Sequence, residues 1–230
     1  ANGWLIKPLQ GEGGTGIKKY QSDFANICSD YYWQKQMAGD AMSILFLANG
    51  VDFEVVGFHQ QYVVCIDNND FIFSTIISLP EIEETIKRTV INWLFKIVVE
   101  FQLQGLNSLD FMIDKGQCYV LEVNARPSAS MQLYKDDLIS VHINSLISGE
   151  LNRKPVLNSY QAYHIVYAEK DLIISNQINW PGWVVDIPDS GGLIHTNMPI
   201  CSIIAGGKTK QYVIDLLQAR QQQLTNLLYR

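Results

Sequence analysis

The stretch LDFMIDKGQCYVLEVNAR, residues 109–126, contains the pattern that decides the fold. Two runs in which apolar and polar residues alternate flank the turn-forming residues Lys115-Gly116-Gln117. Alternation with a period of two is typical of β-strands that bury one face. The stretch therefore predicts a β-hairpin, with strands over Leu106–Asp114 and Cys118–Ala125.

The faces of this hairpin bring oxygen-bearing side chains together. Matching the apolar faces sets Leu109 opposite Val123, and that register sets Asp110 opposite Glu122, with Asn124 next on the same face. The register requires a three-residue loop, or alternatively a two-residue turn with a β-bulge. Magnesium takes oxygen ligands, commonly one or two carboxylates together with nucleotide phosphates. The polar face is therefore a candidate metal site, and an ordinary solvent-exposed face is the alternative.

A glycine-rich segment, Gly11-Glu12-Gly13-Gly14-Thr15-Gly16, follows a short strand pattern at Trp4-Leu5-Ile6. Backbone N–H groups of such a loop can approach phosphate oxygens because no Cβ atom obstructs them. Lys7 precedes the loop and is placed to reach the same phosphates. A dinucleotide fingerprint, a protein kinase loop and a purely structural turn are the alternatives. The first expects a βαβ unit and the second expects two further motifs, and we find neither pattern in the sequence.

The rest of the chain alternates between strand and helix patterns. Apolar runs separated by turn residues, including the hairpin signal Asn49-Gly50, predict an antiparallel sheet between residues 31 and 79. The runs are Tyr31–Met37, Ala41–Ala48, Phe53–Ile66 and Phe71–Leu79. Helices are predicted near 22–29, from Pro80 to about Gly105, and at about 135–147 and 209–228. Further strands are predicted at 162–168 and 199–205.

Composition excludes several classes of protein. The net charge is −6, and no run of Lys and Arg forms a basic stripe, so we expect no nucleic-acid partner. Neither a signal peptide nor a membrane-spanning run is recognisable, and the four cysteines lie far apart. We therefore expect a cytoplasmic protein with no membrane partner.

Taken in order, these segments resemble the ATP-grasp superfamily. The matching pieces are Ile6-Lys7-Pro8, Gly11–Ile17, Trp33–Asp40, Leu109-Asp110-Phe111 and Leu121–Pro127. Two further segments, Gly39–Gly50 and Pro199-Ile200-Cys201, are similar to small carboxylate–amine ligases, among them the tyramine–glutamate ligase type. The resemblance implies an α+β fold in which two lobes with antiparallel sheets and flanking helices grip ATP. Residues 1–80 would form the small lobe, 81–155 the metal-binding part of the large lobe, and 156–230 the strands and helix that complete it.

The resemblance also implies roles for individual residues. Arg126 would steady the acyl phosphate through charge-assisted hydrogen bonds. Those implied to contact phosphate are Lys7, Gly11, Gly13, Gly14 and Gly16. Those implied to line the adenine and ribose are Gln34, Lys35, Gln36, Met37 and Asp40, where Asp40 stands beside Ala41, the position of the usual ribose-binding acid. Those implied to hold Mg²⁺ or Mn²⁺ are Asp110, Glu122 and Asn124.

The implied reaction is an ATP-dependent ligation of a small-molecule acid to an amine. A carboxylate attacks the γ-phosphate, and an amine then displaces phosphate from the acyl phosphate and forms a C–N bond. Members of the superfamily carry an N-terminal domain and a further phosphate-binding lysine ahead of the position that Ala1 occupies. We therefore expect a fragment that binds ATP weakly and turns over little substrate by itself. The sequence does not fix the oligomeric state, and a homodimer is one possibility. The alternatives are a non-catalytic ATP-binding module and a Rossmann oxidoreductase, which the missing βαβ pattern disfavours.

Overall fold

The computed structural model describes residues 3–20, 29–134, 137–151 and 158–229. Their helices are α1 (Glu84–Phe101), α2 (Leu138–Ser148) and α3 (Lys210–Leu228), and a 3₁₀ turn covers Ala129–Leu133. The strands of the first half are β1 (Trp4–Pro8), β2 (Lys18–Lys19), β3 (Tyr31–Lys35), β4 (Asp40–Asn49), β5 (Phe53–Ile66) and β6 (Asn69–Leu79). The later strands are β7 (Gln104–Asp114), β8 (Gln117–Asn124), β9 (Tyr160–Tyr167), β10 (Leu172–Ile173), β11 (Val184–Val185), β12 (Leu193–Ile194) and β13 (Pro199–Gly207).

The described strands form three sheets in which every neighbouring pair is antiparallel. The largest has eight strands in the order β11-β13-β9-β6-β5-β4-β7-β8. A three-stranded sheet has the order β2-β1-β3, and β10 pairs with β12. Antiparallel sheets with flanking helices confirm the predicted α+β class. The eight-stranded sheet contains strands from all three predicted segments of the chain, so the boundaries of the lobes stay a prediction.

The hairpin of β7 and β8 has the predicted register at Leu109 and Asp110. Leu109 pairs with Val123, and Asp110 pairs with Glu122. The connection is the two-residue turn that the sequence left open, with a register shift directly after Asp110. Lys115 and Gly116 have φ angles of 50° and 76°, as a tight turn with two left-handed residues requires. The extra residue on β8 is absorbed as a bulge, so Phe111 pairs with Val120 rather than Leu121.

Helix boundaries follow local chemistry. Helix α1 ends at Phe101, before the predicted Gly105, because Gln102 takes a left-handed φ of 47° as the C-cap. Helix α3 begins after Thr209, whose side chain accepts a hydrogen bond from the backbone N–H of Tyr212. Helix α2 begins after Asp137, and the helix predicted near 22–29 lies almost entirely outside the described residues.

The helices cover the eight-stranded sheet on both faces. Helix α1 buries Ile86, Val90, Leu94 and Val98 against one face, where each side chain stabilises the fold by about 2 kcal/mol. On the opposite face, Leu45 and Leu47 pack with Tyr134, the C-cap of the 3₁₀ turn, and with Leu138 of α2. Helix α3 covers β9 and β13. Among the described residues, no helix combines the length and hydropathy that crossing a bilayer requires.

Candidate functional site

Two carboxylates and one amide lie together on the hairpin of β7 and β8. Asp110 faces Glu122 across the strand pair, and the Nδ2 atom of Asn124 donates a hydrogen bond to Oδ2 of Asp110 over 3.1 Å. Burial and then the negative charge of Glu122 raise the pKa of Asp110 to about 6. Hydrogen bonds from Gln61 and Asn124 and the positive charge of Arg126 lower the same pKa. The fold thus holds two like charges opposite each other, an arrangement that a cation between them would stabilise.

The chemistry of this donor set fits magnesium rather than a soft metal. Within the described part of the chain, no group of three or more His, Cys, Asp or Glu side chains is placed to hold a metal ion. The hairpin instead offers two carboxylates and an amide oxygen. Magnesium commonly takes one or two carboxylates and completes its shell with water and phosphate oxygens. Asp110, Glu122 and Asn124 together could therefore hold such a cation.

Lys7 connects the three-stranded sheet to this hairpin. Its ammonium group lies 3.7 Å from Oε2 of Glu122 and donates a hydrogen bond to Oε1 of Gln34 over 3.2 Å. The Nε2 atom of Gln34 donates in turn to the carbonyl oxygen of Leu121 over 3.4 Å. The Lys7 side chain is 13% exposed and that of Glu122 47%. A cationic group from β1 therefore lies beside a candidate metal ligand, although the two residues are far apart in the sequence.

The glycine-rich loop is anchored on β6. The carbonyl oxygen of Gly13 accepts a hydrogen bond from the backbone N–H of Phe73 over 2.9 Å. Gly13, Gly14 and Gly16 have φ angles of 60°, 82° and 78°, which only glycine adopts without strain. A Cβ atom on Gly14 would lie 1.7 Å from the carbonyl oxygen of Phe71. The backbone conformation and the close approach to β6 explain why glycine occupies these positions.

Four of the residues predicted to line the base lie on β3 or directly after it. Gln34 contacts Lys7 and β8, and the backbone N–H of Gln36 donates to the carbonyl oxygen of Gly3 over 2.7 Å. Lys35 is exposed and Met37 is half-buried. Gln34 and Lys35 lie on β3, an edge strand of the three-stranded sheet, and Gln36 and Met37 follow it in the chain.

The structure does not bring Asp40 together with Asp110. Ser43 pairs with Asp110, and Asp40 lies three residues away on the same strand, so its side chain points to the opposite face. There Oδ1 of Asp40 accepts a hydrogen bond from Nε2 of Gln60 over 3.0 Å. The alternation along β4 was the available signal, because residues an odd number apart on a strand cannot share a face.

Arg126 lies two residues after the end of β8. It is exposed, and its guanidinium group donates to the carbonyl oxygen of Pro127 over 3.3 Å. Its positive charge acts on Asp110, so the two groups are electrostatic neighbours. An exposed cation at this rim is placed to contact a charged ligand.

Gln61 is the residue of this site that the sequence did not reveal. Its Nε2 atom donates a hydrogen bond to Oδ1 of Asp110 over 3.2 Å. Beside it lies a buried network in which Nδ1 of His59 bonds to Ser43 over 3.3 Å, and Nε2 bonds to the hydroxyl of Tyr134 over 2.8 Å. The available signal was the polar run His59-Gln60-Gln61 inside an otherwise apolar strand.

Comparison with known proteins identifies the family. Residues 1–130, more than half of the chain, match the family model described as an ATP-grasp domain. The chain therefore belongs to the ATP-grasp family. It is 22% identical over 220 residues to Uncharacterized protein MJ0776 of Methanocaldococcus jannaschii, covering 91% of this chain and 52% of the relative. The chain thus spans about half the length of that curated relative.

Solved structures share the fold at low sequence identity. The L-amino acid ligase from Bacillus licheniformis matches 99% of this chain and 64% of its own, with a TM-score of 0.70 and 13% identity. Phosphoribosylamine–glycine ligase from Thermotoga maritima matches 99% and 66%, with a TM-score of 0.68 and 15% identity. The biotin carboxylase domain of the Hydrogenobacter thermophilus 2-oxoglutarate carboxylase, solved with MgADP and bicarbonate, matches 95% and 56%, with a TM-score of 0.71 and 15% identity. The predicted ATP-grasp fold is confirmed.

Proposed function

We propose that this chain carries the nucleotide site of an ATP-dependent ligase that joins a carboxylate to an amine through an acyl phosphate, with Mg²⁺ or Mn²⁺ as cofactor. The observation that carries the proposal is the pairing of Asp110 with Glu122, with Lys7 reaching the same carboxylate from the strand that precedes the glycine-rich loop. A protein that binds only the base and sugar has no need of two opposed carboxylates beside a lysine.

The structural neighbours support the reaction class. Two of them are described as an L-amino acid ligase and as phosphoribosylamine–glycine ligase, and a third was solved with MgADP and bicarbonate. Both ligase names describe condensations in which an amino acid takes part. The acid and the amine that this protein joins are therefore proposed as small molecules, and an amino acid is the first class to test for either role.

Each group of site residues would have a separate role in this reaction. Lys7 and the backbone N–H groups of the glycine-rich loop would bind phosphate oxygens, while Gln34 to Met37 would line the base. Asp110, Glu122 and Asn124 would hold the cation, which when bound neutralises phosphate charge during transfer. Arg126 would pair with the acyl phosphate and stabilise the charge that develops as the amine displaces phosphate. Positioning of the two substrates supplies much of the remaining acceleration.

Thermal shift with and without divalent cation tests the nucleotide and metal assignments. A ligand present at one hundred times its Kd stabilises the folded state by about 2.7 kcal/mol, which raises the Tm of a chain of this size by roughly 5–10 °C. We expect such a rise with Mg-ATP and none with NAD. Asp110→Asn and Glu122→Gln should each lose the Mg²⁺-dependent part of the rise while keeping the part that ATP gives in EDTA.

Release of ADP on adding pairs of amino acids to the natural full-length protein tests the chemistry. Turnover that needs both an acid and an amine, and that either carboxylate variant abolishes, is the expected result. Binding of Mg-ATP with no ADP release for any pair would favour a non-catalytic ATP-binding module. Wild-type activity in both variants would show that the assigned residues do not hold the metal.

A further inference from the structure

Gln61 and Asp110 meet across an intervening strand. Gln61 lies on β5 and Asp110 on β7, and β4 runs between these two strands in the sheet. Neighbouring strands are about 4.8 Å apart, so the two backbones are separated by about 10 Å. The hydrogen bond of 3.2 Å from Nε2 of Gln61 to Oδ1 of Asp110 spans that gap.

The middle strand leaves room for this contact because its side chains are small. Ser43 pairs with His59 on one side and with Asp110 on the other, and Ala41 is the next residue of β4 on the same face. Neither side chain is long enough to fill the space above β4. Glutamine has the reach to cross it, whereas asparagine is shorter by one methylene group. The length of Gln61 is therefore as important as its amide.

The contact completes a pair of donors around Asp110. Gln61 donates to Oδ1, and Asn124 donates to Oδ2 over 3.1 Å, so each carboxylate oxygen accepts one amide N–H. The donors belong to β5 and β8, on opposite sides of Asp110 in the sheet. Bonds from two directions fix the plane of a carboxylate that the negative charge of Glu122 repels. Each oxygen accepts hydrogen bonds at two lone pairs, so one on each stays available for a cation.

We propose that Gln61 is a positioning residue for the metal site, and that it holds the carboxylate of Asp110 in the orientation in which Asp110 and Glu122 bind one divalent cation together. The proposal rests on the proposed function, because it assumes that Asp110 is a metal ligand. Hydrogen bonds to the ligands of a metal commonly change its affinity by 10- to 100-fold when they are removed. Gln61 itself touches neither nucleotide nor metal in this role.

The test is the affinity for Mn²⁺ in the presence of saturating ADP, measured by electron paramagnetic resonance. Gln61→Met keeps the length of the side chain and removes the donor. Gln60→Met is the matched control, because it makes the same change one residue away on the opposite face. We expect Gln61→Met to weaken Mn²⁺ binding about tenfold. Gln60→Met should stay within twofold of the wild type. ADP binding in EDTA should be the same for all three proteins, which separates a metal effect from general damage to the fold.

The possible failures are distinguishable. If Asp110→Asn loses Mn²⁺ binding but Gln61→Met stays within twofold of the wild type, the metal site stands and the role of Gln61 is refuted. If Gln61→Met weakens ADP binding in EDTA as much as it weakens Mn²⁺ binding, its role is structural and the inference fails. If the wild type binds no Mn²⁺ in the presence of ADP, the proposed function is refuted, and this inference, which depends on it, is refuted as well.

Discussion

Adding one methyl group to the glycine-rich loop tests how the loop is placed on the eight-stranded sheet. In Gly14→Ala the new Cβ atom would lie 1.7 Å from the carbonyl oxygen of Phe71 and 2.6 Å from its carbonyl carbon. Both atoms belong to the backbone of β6, so neither can rotate away. The loop must therefore retreat from β6 by roughly 1 Å or more, because non-bonded heavy atoms do not approach so closely.

Two costs add up in this variant. Residue 14 has a φ angle of 82°, and a left-handed conformation costs a residue with a Cβ atom about 1–2 kcal/mol. The retreat also breaks the hydrogen bond of 2.9 Å between the N–H of Phe73 and the carbonyl oxygen of Gly13. Such a bond contributes about 1 kcal/mol. We expect a total destabilisation of the docked loop of about 2–3 kcal/mol.

Gly13→Ala is the matched control. Its φ angle is 60°, and a Cβ atom there meets nothing within 4 Å. It therefore suffers the conformational cost of about 1–2 kcal/mol without the collision. The difference between the two variants isolates the contact with β6.

Hydrogen exchange at the amide of Phe73 measures that difference directly. Gly14→Ala should reduce its protection about fivefold relative to Gly13→Ala, which corresponds to the roughly 1 kcal/mol of the lost hydrogen bond. Affinity for ADP in EDTA should fall in parallel if the loop binds phosphate. Equal protection of Phe73 in the two variants would mean that the loop does not lie against β6, and the reasoning about glycine at this position would be wrong.

Two further predictions concern charge. Lys7→Met removes an ammonium 3.7 Å from Oε2 of Glu122, a separation at which unit charges interact by about 1 kcal/mol in water. We expect Mn²⁺ alone to bind five- to tenfold more tightly, and ADP in EDTA to bind more weakly, by calorimetry. Burial lowers the pKa of His164 to about 4, whereas histidine in an unfolded chain titrates near pH 6.5. At His164 the unfolded state therefore binds more protons in this window, so the contribution of this residue to the free energy of unfolding should fall by up to about 3 kcal/mol as the pH drops from 6.5 to 4. The raised pKa of Asp110 acts in the opposite direction, equally in the wild type and in His164→Gln, so the difference between the two proteins measures His164 alone.

For each of these two predictions, one result would contradict it. Unchanged Mn²⁺ affinity in Lys7→Met would show that the lysine does not compete for the charge of Glu122. For the histidine, urea unfolding across the pH window compares the wild type with His164→Gln, and the exposed His195→Gln is the control. A wild-type pH slope in His164→Gln would rule out His164 as its source.

The sequence pattern predicted the hairpin because the pairing of β7 with β8 depends on residues that are close together in the sequence. Alternation fixed the faces of β7 and β8, and matching the apolar faces set Asp110 opposite Glu122. The choice between a three-residue loop and a two-residue turn with a bulge stayed open, because both satisfy the same alternation. The backbone angles of Lys115 and Gly116 decide it, and those depend on the twist of the whole sheet.

Local sequence patterns could not predict side-chain contacts between residues that are far apart in the sequence. Gln61 meets Asp110 only because the sheet order places β4 between β5 and β7. Lys7 meets Glu122 only because β1 belongs to a different sheet that lies against β8. The resemblance to a family supplies the order of the functional residues along the chain, and it supplies neither of these pairings. Asp40 and Ala41 illustrate a second limit, because neighbours on a strand such as β4 have their side chains on opposite faces, and the resemblance alone does not decide between them.

The two sheets meet at the candidate site through polar groups. Among the described residues, the three apolar core clusters contain no residue of β1, β2 or β3. The contacts between the sheets include Lys7 with Glu122, Gln34 with the carbonyl of Leu121, and Lys19 with Asp70. Partly exposed polar contacts of this kind contribute at most about 1 kcal/mol each. Because these polar contacts are weak, a ligand that binds both sheets can shift one sheet relative to the other at the cost of a modest part of its binding energy.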